Sequence, residues 1–451
     1  MEIMMKHFVC TLVLSVITTT AFGSVSVYFN HNPQSRYTDP YRGITREGDD
    51  LEEVLISQIQ EAKKTIYLAS QELRLPLVAK ALVEKHKEGV DVRVVLEHDY
   101  NVSVLKQRDP TAEDEHEASK LQELIAFVDE NGDGVIKKEE LENRDAIYIL
   151  QKGGVRVIDD ASDGSSGSGL MHHKFLVVDG RKTVVSTANF TMSCIHGDVL
   201  TPESRGNANS MILVESPSFA KIFAEEFTQM WGNGKRGNFG HNKTYRGPIE
   251  TTVKGTKITV QFSPTSQRYN WDESVNGLMG SFLAKATKSI RASLFVFSDQ
   301  RLADVMQKRH DAGALIGVVI EPKFAYRDYS ELLDMMGLKM FNQKCIYEPN
   351  NNPWKVPAKE VGMARPLKGD VLHHKFAVID NKSVIVGSQN WSNAANYTND
   401  ETLIVIQNSA ISDRFTQEYE RIKKTAQMRP PAWLLDQIQK QEEMCAQLNL
   451  L

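Results

Sequence analysis

Two stretches far apart in the chain, MHHKFLVVDG at 171–180 and LHHKFAVIDN at 372–381, repeat one spacing of imidazole, ammonium and carboxylate. Side chains alternate between the faces of a strand, so His172 and Lys174 share one face while His173 points to the other. His373 and Lys375 repeat the arrangement, with His374 behind the strand. Asp179 and Asp380 fall on the other parity, at the turns Asp179-Gly180 and Asp380-Asn381-Lys382. Folding back there returns TVVSTAN (183–189) and SVIVGSQN (383–390). Thr187 and Asn189 then lie beside Lys174, and Ser388 and Asn390 beside Lys375. Lysines and amide donors suit the equatorial oxygens of a phosphoryl group. Two opposed histidines suit in-line displacement, one attacking phosphorus and the other protonating the leaving oxygen. Neither role requires a metal.

His-x-Lys-x4-Asp followed by STANF (186–190), and again by GSQNW (387–391), resembles the phospholipase D superfamily. The resemblance covers nearly all of the chain beyond its leader, except one insertion and the C-terminal tail. It implies an α/β fold of two tandem sandwich halves related by a pseudo-twofold axis, and a covalent phosphohistidine mechanism that uses no cofactor. By that resemblance His172 is the nucleophile and His373 the general acid, which then activates water. Lys174, Lys375, Asn189 and Asn390 hold the phosphate, and Asp179 and Asp380 support the fold or the residues around the site. The family also places a carboxylate downstream that orients the motif histidine. NDETLIVI (399–406) supplies Glu401, whereas the aligned NANSMILV (207–214) supplies Asn209. Within the first half His172 is then left with an amide, or with Asp198 or Glu203 as substitutes, and the two histidines remain interchangeable as nucleophile.

The elements that must position these residues also occur twice. VSVYFNHNP (25–33) resembles ITVQFSPTS (258–266), and the amphipathic run from Leu51 to Ser70 resembles that from Val275 to Ser298. DVRVVLEHD (91–99) resembles ALIGVVIEP (314–322), and NSMILVE (209–215) resembles ETLIVIQ (401–407). The resulting division is a leader at 1–23, a first half at 24–231, a Gly-, Asn- and basic-rich linker at 232–250, a second half at 251–430 and a C-terminal helix at 431–451. DDASDGSSGSG (159–169) is too small and polar to pack, and reads as a loop beside the mouth of the site.

The first half is longer than the second by about 23 residues between its Glu-ended strand and its motif, and the excess is the insertion at about 117–143. DENGDGVIKKEE (129–140) puts Asp129, Asn131, Asp133, Gly134 and Glu140 in the pattern of an EF-hand calcium loop, with the Val135 carbonyl as a further ligand. SKLQELIAFV (119–128) and EELEN (139–143) read as the flanking helices. With no second EF-hand to pair with, the expected role of Ca2+ is structural and its affinity weak.

Composition allows two ordinary domains. Hydrophobic residues make up 41% and charged residues 25%, and the net charge of −5 supplies no overall field for a polyanion. Lys6, the apolar run 8–17 and Ala21-Phe22-Gly23 read as a signal peptide, so export to a secreted or periplasmic location is expected. No other stretch is apolar enough to span a membrane. The remaining cysteines, Cys194, Cys345 and Cys445, are odd in number and read as small buried hydrophobes rather than a disulfide framework. Location and charge favour a phospholipid substrate with head-group release. The alternative is an endonuclease acting on DNA or RNA, with the basic linker tracking the backbone. An inactive binding protein is disfavoured, since both motif sets keep His, Lys and Asn. The C-terminal helix, with Trp433, Leu434, Leu435 and Ile438, is a candidate for docking to the core or for peripheral membrane contact. With both motif halves in one chain, a monomer suffices.

Overall fold

A computed structural model describes residues 23–107, 115–162, 164 and 168–448. Nearly all of the expected leader and part of the 159–169 loop lie outside the described residues. The first half builds a seven-stranded sheet in the order Val25–Phe29, Ser210–Glu215, Lys182–Ser186, Lys174–Val178, Thr65–Ser70, Asp91–Leu96 and Arg156–Asp159. The second builds an eight-stranded sheet, Ile249–Val253, Thr256–Phe262, Thr402–Gln407, Ser383–Gly387, Lys375–Ile379, Ser289–Leu294, Leu315–Ile320 and Glu360–Met363. The repeats seen in the sequence therefore occupy equivalent strands. The expected α/β class with two sandwich halves is what the chain adopts.

Helices cover both sheets because their apolar stripes must be buried. Leu51–Glu61 and Pro76–Lys87 close the outer face of the first sheet, in a core with Leu55, Ile59, Leu82, Leu68 and Val94. Val275–Leu283 and Gln300–Asp311 do the same for the second. The long helices Pro217–Trp231 and Ser409–Lys423 lie between the sheets. Their Phe219, Phe223, Phe227 and Phe415 join Phe175, Phe376, Ile404 and Ile406 in one core that belongs to both halves. Each of the two also reaches the other half's edge strand: Ser218 bonds Thr251, and Phe415 packs edge-on against Phe29. This reciprocal packing is the pseudo-twofold relation that the repeats predict.

The two motif aspartates close the hairpins. Asp179 and Asp380 adopt positive φ of 51° and 52°, a region short polar side chains tolerate, followed by Gly180 and Asn381 at 60° and 56°. Asp179 accepts the backbone N–H groups of Lys63, Lys64 and Thr65. Asp380 accepts those of Thr287, Lys288 and Ser289, and the Thr287 hydroxyl. Both carboxylates thus sit at the far end of their strands from the histidines and fasten the hairpin to the neighbouring strand. They do not line the site and act on it only through the fold they hold.

The insertion folds as helix Glu115–Val128, the 129–137 loop and helix Lys138–Arg144. Phe127 packs edge-on against Tyr41, and Arg144 lies over both rings, so the EF-hand-like unit is docked to the body. One expectation needs correction. Cys345 and Cys445 form a disulfide across 100 residues of chain, and only Cys194 is the free, buried thiol expected of all three. Distance in sequence hid a pairing that the docked C-terminal helix creates. The linker, which only the endonuclease alternative would use as a basic track, has its Lys243 buried on Glu226 and Asp400, and Arg246 on Glu225 and Glu226.

Candidate active site

Just ahead of each motif strand, the chain crosses to the other half. Met171 bridges Asp400, with His172 N donating to Asp400 O at 2.9 Å. Leu372 bridges Ala208, with His373 N donating to Ala208 O at 3.1 Å. The consequence is that the orienting groups are exchanged between halves. His172 Nδ1 lies 2.6 Å from Glu401 Oε2, and His373 Nδ1 lies 3.0 Å from Asn209 Oδ1. Pairing each histidine with its own half's downstream residue was therefore mistaken: His172 has the carboxylate and His373 the amide. Asp198 and Glu203 take neither position.

The tautomers follow from these partners. A carboxylate can only accept, so the His172 proton sits on Nδ1 and Nε2 keeps its lone pair. Asn209 Nδ2 donates to the carbonyls of Cys194 and Asn207, while its Oδ1 accepts from the Thr187 hydroxyl. The amide is thereby fixed with its oxygen toward His373. Burial, and then the charges of Lys174 and Lys375, hold both motif imidazoles well below the usual histidine range, so the free site carries neutral rings. Burial lifts Glu401 to about 7.

Lys174 Nζ donates to its own strand at His172 O, 2.7 Å away, and Lys375 Nζ to His373 O at 2.8 Å. Burial lowers Lys174 to about 8, and burial together with Lys174 lowers Lys375 well below the ordinary lysine value. Two ammonium groups sharing one buried space call for an anion between them. Asn189 and Asn390 each have a buried Oδ1 without a protein partner, and Asn189 Nδ2 donates to Glu72. His173 and His374, behind the strands, bond Thr402 and Glu418 and serve packing, as their parity indicated. Three residues escaped the sequence reading. Gln71 Oε1 lies 3.4 Å from Lys174 Nζ, Glu72 holds Asn189, and the Phe295 ring lies 4.7 Å from Lys375 Nζ. Their signal was positional, since all three immediately follow the strand beside a motif strand.

The chain belongs to the phospholipase D-like family described as "Cardiolipin synthase, PLD-like domain", which matches residues 55–231 and 279–423. Among similar proteins is the mitochondrial cardiolipin hydrolase of Mus musculus, 26% identical over 153 residues, covering 34% of this chain and 58% of that protein. The chain therefore spans little more than half the length of that relative. A phospholipase D of Rickettsia prowazekii is 24% identical over 212 residues, covering 47% of this chain and 72% of the relative. A phosphatidylserine synthase from Haemophilus influenzae shares the fold across 94% of each chain, with a TM-score of 0.54 and 11% identity.

Proposed function

We propose that the chain is an exported phosphodiesterase that releases the head-group alcohol of a phospholipid through a covalent phosphohistidine. The observation that carries this reading is the exchange of orienting groups, which gives the two histidines different chemistry. His172 Nε2, with Glu401 behind its other nitrogen, attacks phosphorus. The carboxylate then stabilises the positive ring of the phosphohistidine. His373, protonated when the anionic substrate enters, gives its Nε2 proton to the leaving oxygen. A neutral amide behind it holds the ring without holding the charge, so the proton is readily given up. His373, now neutral, takes a proton from water, whose oxygen displaces His172 from phosphorus and leaves a phosphatidate. Lys174, Lys375, Asn189 and Asn390 neutralise and orient the phosphoryl oxygens.

Lipid is favoured over nucleic acid because two of the four linker cations, Lys243 and Arg246, are committed to the buried carboxylates of Glu226 and Asp400. The C-terminal helix also leaves Trp433, Leu435, Met444 and Leu448 exposed. No helix of the described residues is long and apolar enough to cross a membrane. The disulfide fits an oxidising, extracytoplasmic location. The 129–140 loop offers Asp129, Asn131, Asp133, the Val135 carbonyl and the buried Glu140, an all-oxygen set suited to a hard cation, with Gly134 at φ +79° permitting the turn. Ca2+ there would brace the insertion.

The test offers the protein phosphatidylcholine or cardiolipin vesicles, and separately plasmid and single-stranded DNA. His172→Ala and His373→Ala are the controls. Head-group release, falling by at least about 10³-fold in either variant, is expected. With an activated phenolic leaving group, His373→Ala should still form the phosphoenzyme and His172→Ala should not. DNA cleavage without lipid turnover would replace the lipid reading by the nuclease one. Phosphoenzyme in His172→Ala would reverse the two roles.

A further inference from the structure

Glu97, His98 and Asp160 stand where the strands Asp91–Leu96 and Arg156–Asp159 end, on the same side of the sheet as the motif. One potential ligand atom from each lies within 4.8 Å of the others. His98 Nδ1 is 2.8 Å from Glu97 Oε1 and 3.1 Å from Asp160 Oδ1. Both carboxylate side chains are nearly inaccessible, at 3% and 0% exposure, whereas the imidazole is 38% exposed and opens the group to solvent. The single Nδ1 proton can satisfy only one of the two carboxylates fully. Among the described residues neither has a lysine or arginine as an ion-pair partner.

The repeated fold supplies an internal comparison. Leu96 pairs Asp159 as Ile320 pairs Met363, so Glu97, His98 and Asp160 correspond to Glu321, Pro322 and Ala364. Glu321 caps the following turn by accepting Lys323 N, as Glu97 accepts Asp99 N. The glutamate therefore recurs as a cap, whereas the second half builds the same corner with Pro322 and Ala364 in place of the histidine and the aspartate.

We propose that Glu97, His98 and Asp160 bind a divalent transition-metal ion of the zinc type. The ion takes the place of the proton on His98 Nδ1, the neutral ring carrying its one proton on Nε2 toward Asp99, and water completes the coordination on the exposed side. Tetrahedral zinc with bonds of about 2.0–2.1 Å sets its ligand atoms roughly 3.3 Å apart, so the two distances from His98 Nδ1 need open by only tenths of an ångström. Nitrogen with two carboxylates selects such an ion over Ca2+, which takes oxygen ligands. Asp160 also accepts from His98 N and from Ser168 N and Oγ, so the ion would tie the end of the strand Arg156–Asp159 to both residues.

The experiment titrates chelator-treated protein with Co2+, with excess Ca2+ present to occupy the EF-hand-like loop. It reads visible absorption and then displacement by Zn2+. One equivalent is expected, bound at least about a hundredfold more weakly in His98→Ala and in Asp160→Ala, and unaffected by Glu140→Gln. Asp160→Ala installs the residue that the second half carries at the same position. Absence of a stoichiometric cobalt spectrum in the wild type, or its persistence in Asp160→Ala, would overturn the proposal.

Discussion

At the scale of single residues, the proposed chemistry depends on a carboxylate standing behind one histidine and an amide behind the other. In the proposed mechanism the reactive form has Glu401 ionised, so that it accepts the Nδ1 proton and leaves His172 Nε2 free, and it has charged lysine. Burial places Glu401 at about 7 and Lys174 at about 8. A raised carboxylate is active above its value, and a lowered ammonium is active below it. The profile of kcat/KM should therefore rise as pH climbs through about 7 and decline above about 8. Glu401→Gln should flatten the lower limb and reduce turnover, and a lower limb unchanged in that variant would assign it to another group.

The hairpins and the EF-hand-like insertion make the case at the scale of elements. Asp380 holds three backbone amides and one hydroxyl at the corner of its hairpin, and these bonds lower its own value to about 2. Asp380→Ala should cost about 2 kcal/mol in chemical denaturation. Because the folded-state value lies below the unfolded one, this stabilisation is complete above about pH 4. It is lost as pH falls toward 2. In the insertion, Lys137 reaches the Asp133 carboxylate from within the loop, and Glu140 Oε1 and Oε2 accept from Asn131 N and Lys137 N. An internal cation competing for Asp133 is a reason for weak affinity. Millimolar Ca2+ should raise the melting temperature by about 2 °C in the wild type and not in Glu140→Gln.

At the scale of the whole molecule, each half is incomplete because its histidine is held by a residue of the other half, His172 by Glu401 and His373 by Asn209. The C-terminal helix Ala432–Leu448 is an addition to that pair. It is held by Leu434, which packs with Leu333 and Met340, and by the Cys345–Cys445 bond. So few buried contacts make the covalent link decisive for its docking. Cys445→Ser should expose the backbone of 432–448 to rapid hydrogen exchange while the two sheets keep their protection. Turnover of a soluble substrate should be unchanged. A loss of protection extending into Lys375–Ile379 would mean that the helix supports the second half.

The sequence by itself determined the two motif strands, their hairpin turns, the face on which each histidine lies and the calcium-loop pattern. All of these follow from local rules: alternation along a strand, the residues a tight turn tolerates and fixed ligand spacing in a loop. It also determined the repetition, because two copies of one unit must pack their apolar faces alike. The tertiary structure decided what local rules cannot reach. Glu401 is 229 residues from His172, and Asn209 is 164 from His373, so their partnership exists only because the chain crosses between halves at Met171 and Leu372. The same holds for Cys345 with Cys445 and for Lys243 on Asp400, where burial rather than spacing chose the partner. A buried charge must find its counter-charge in space, and neither the sequence separation nor the residue type says where that is.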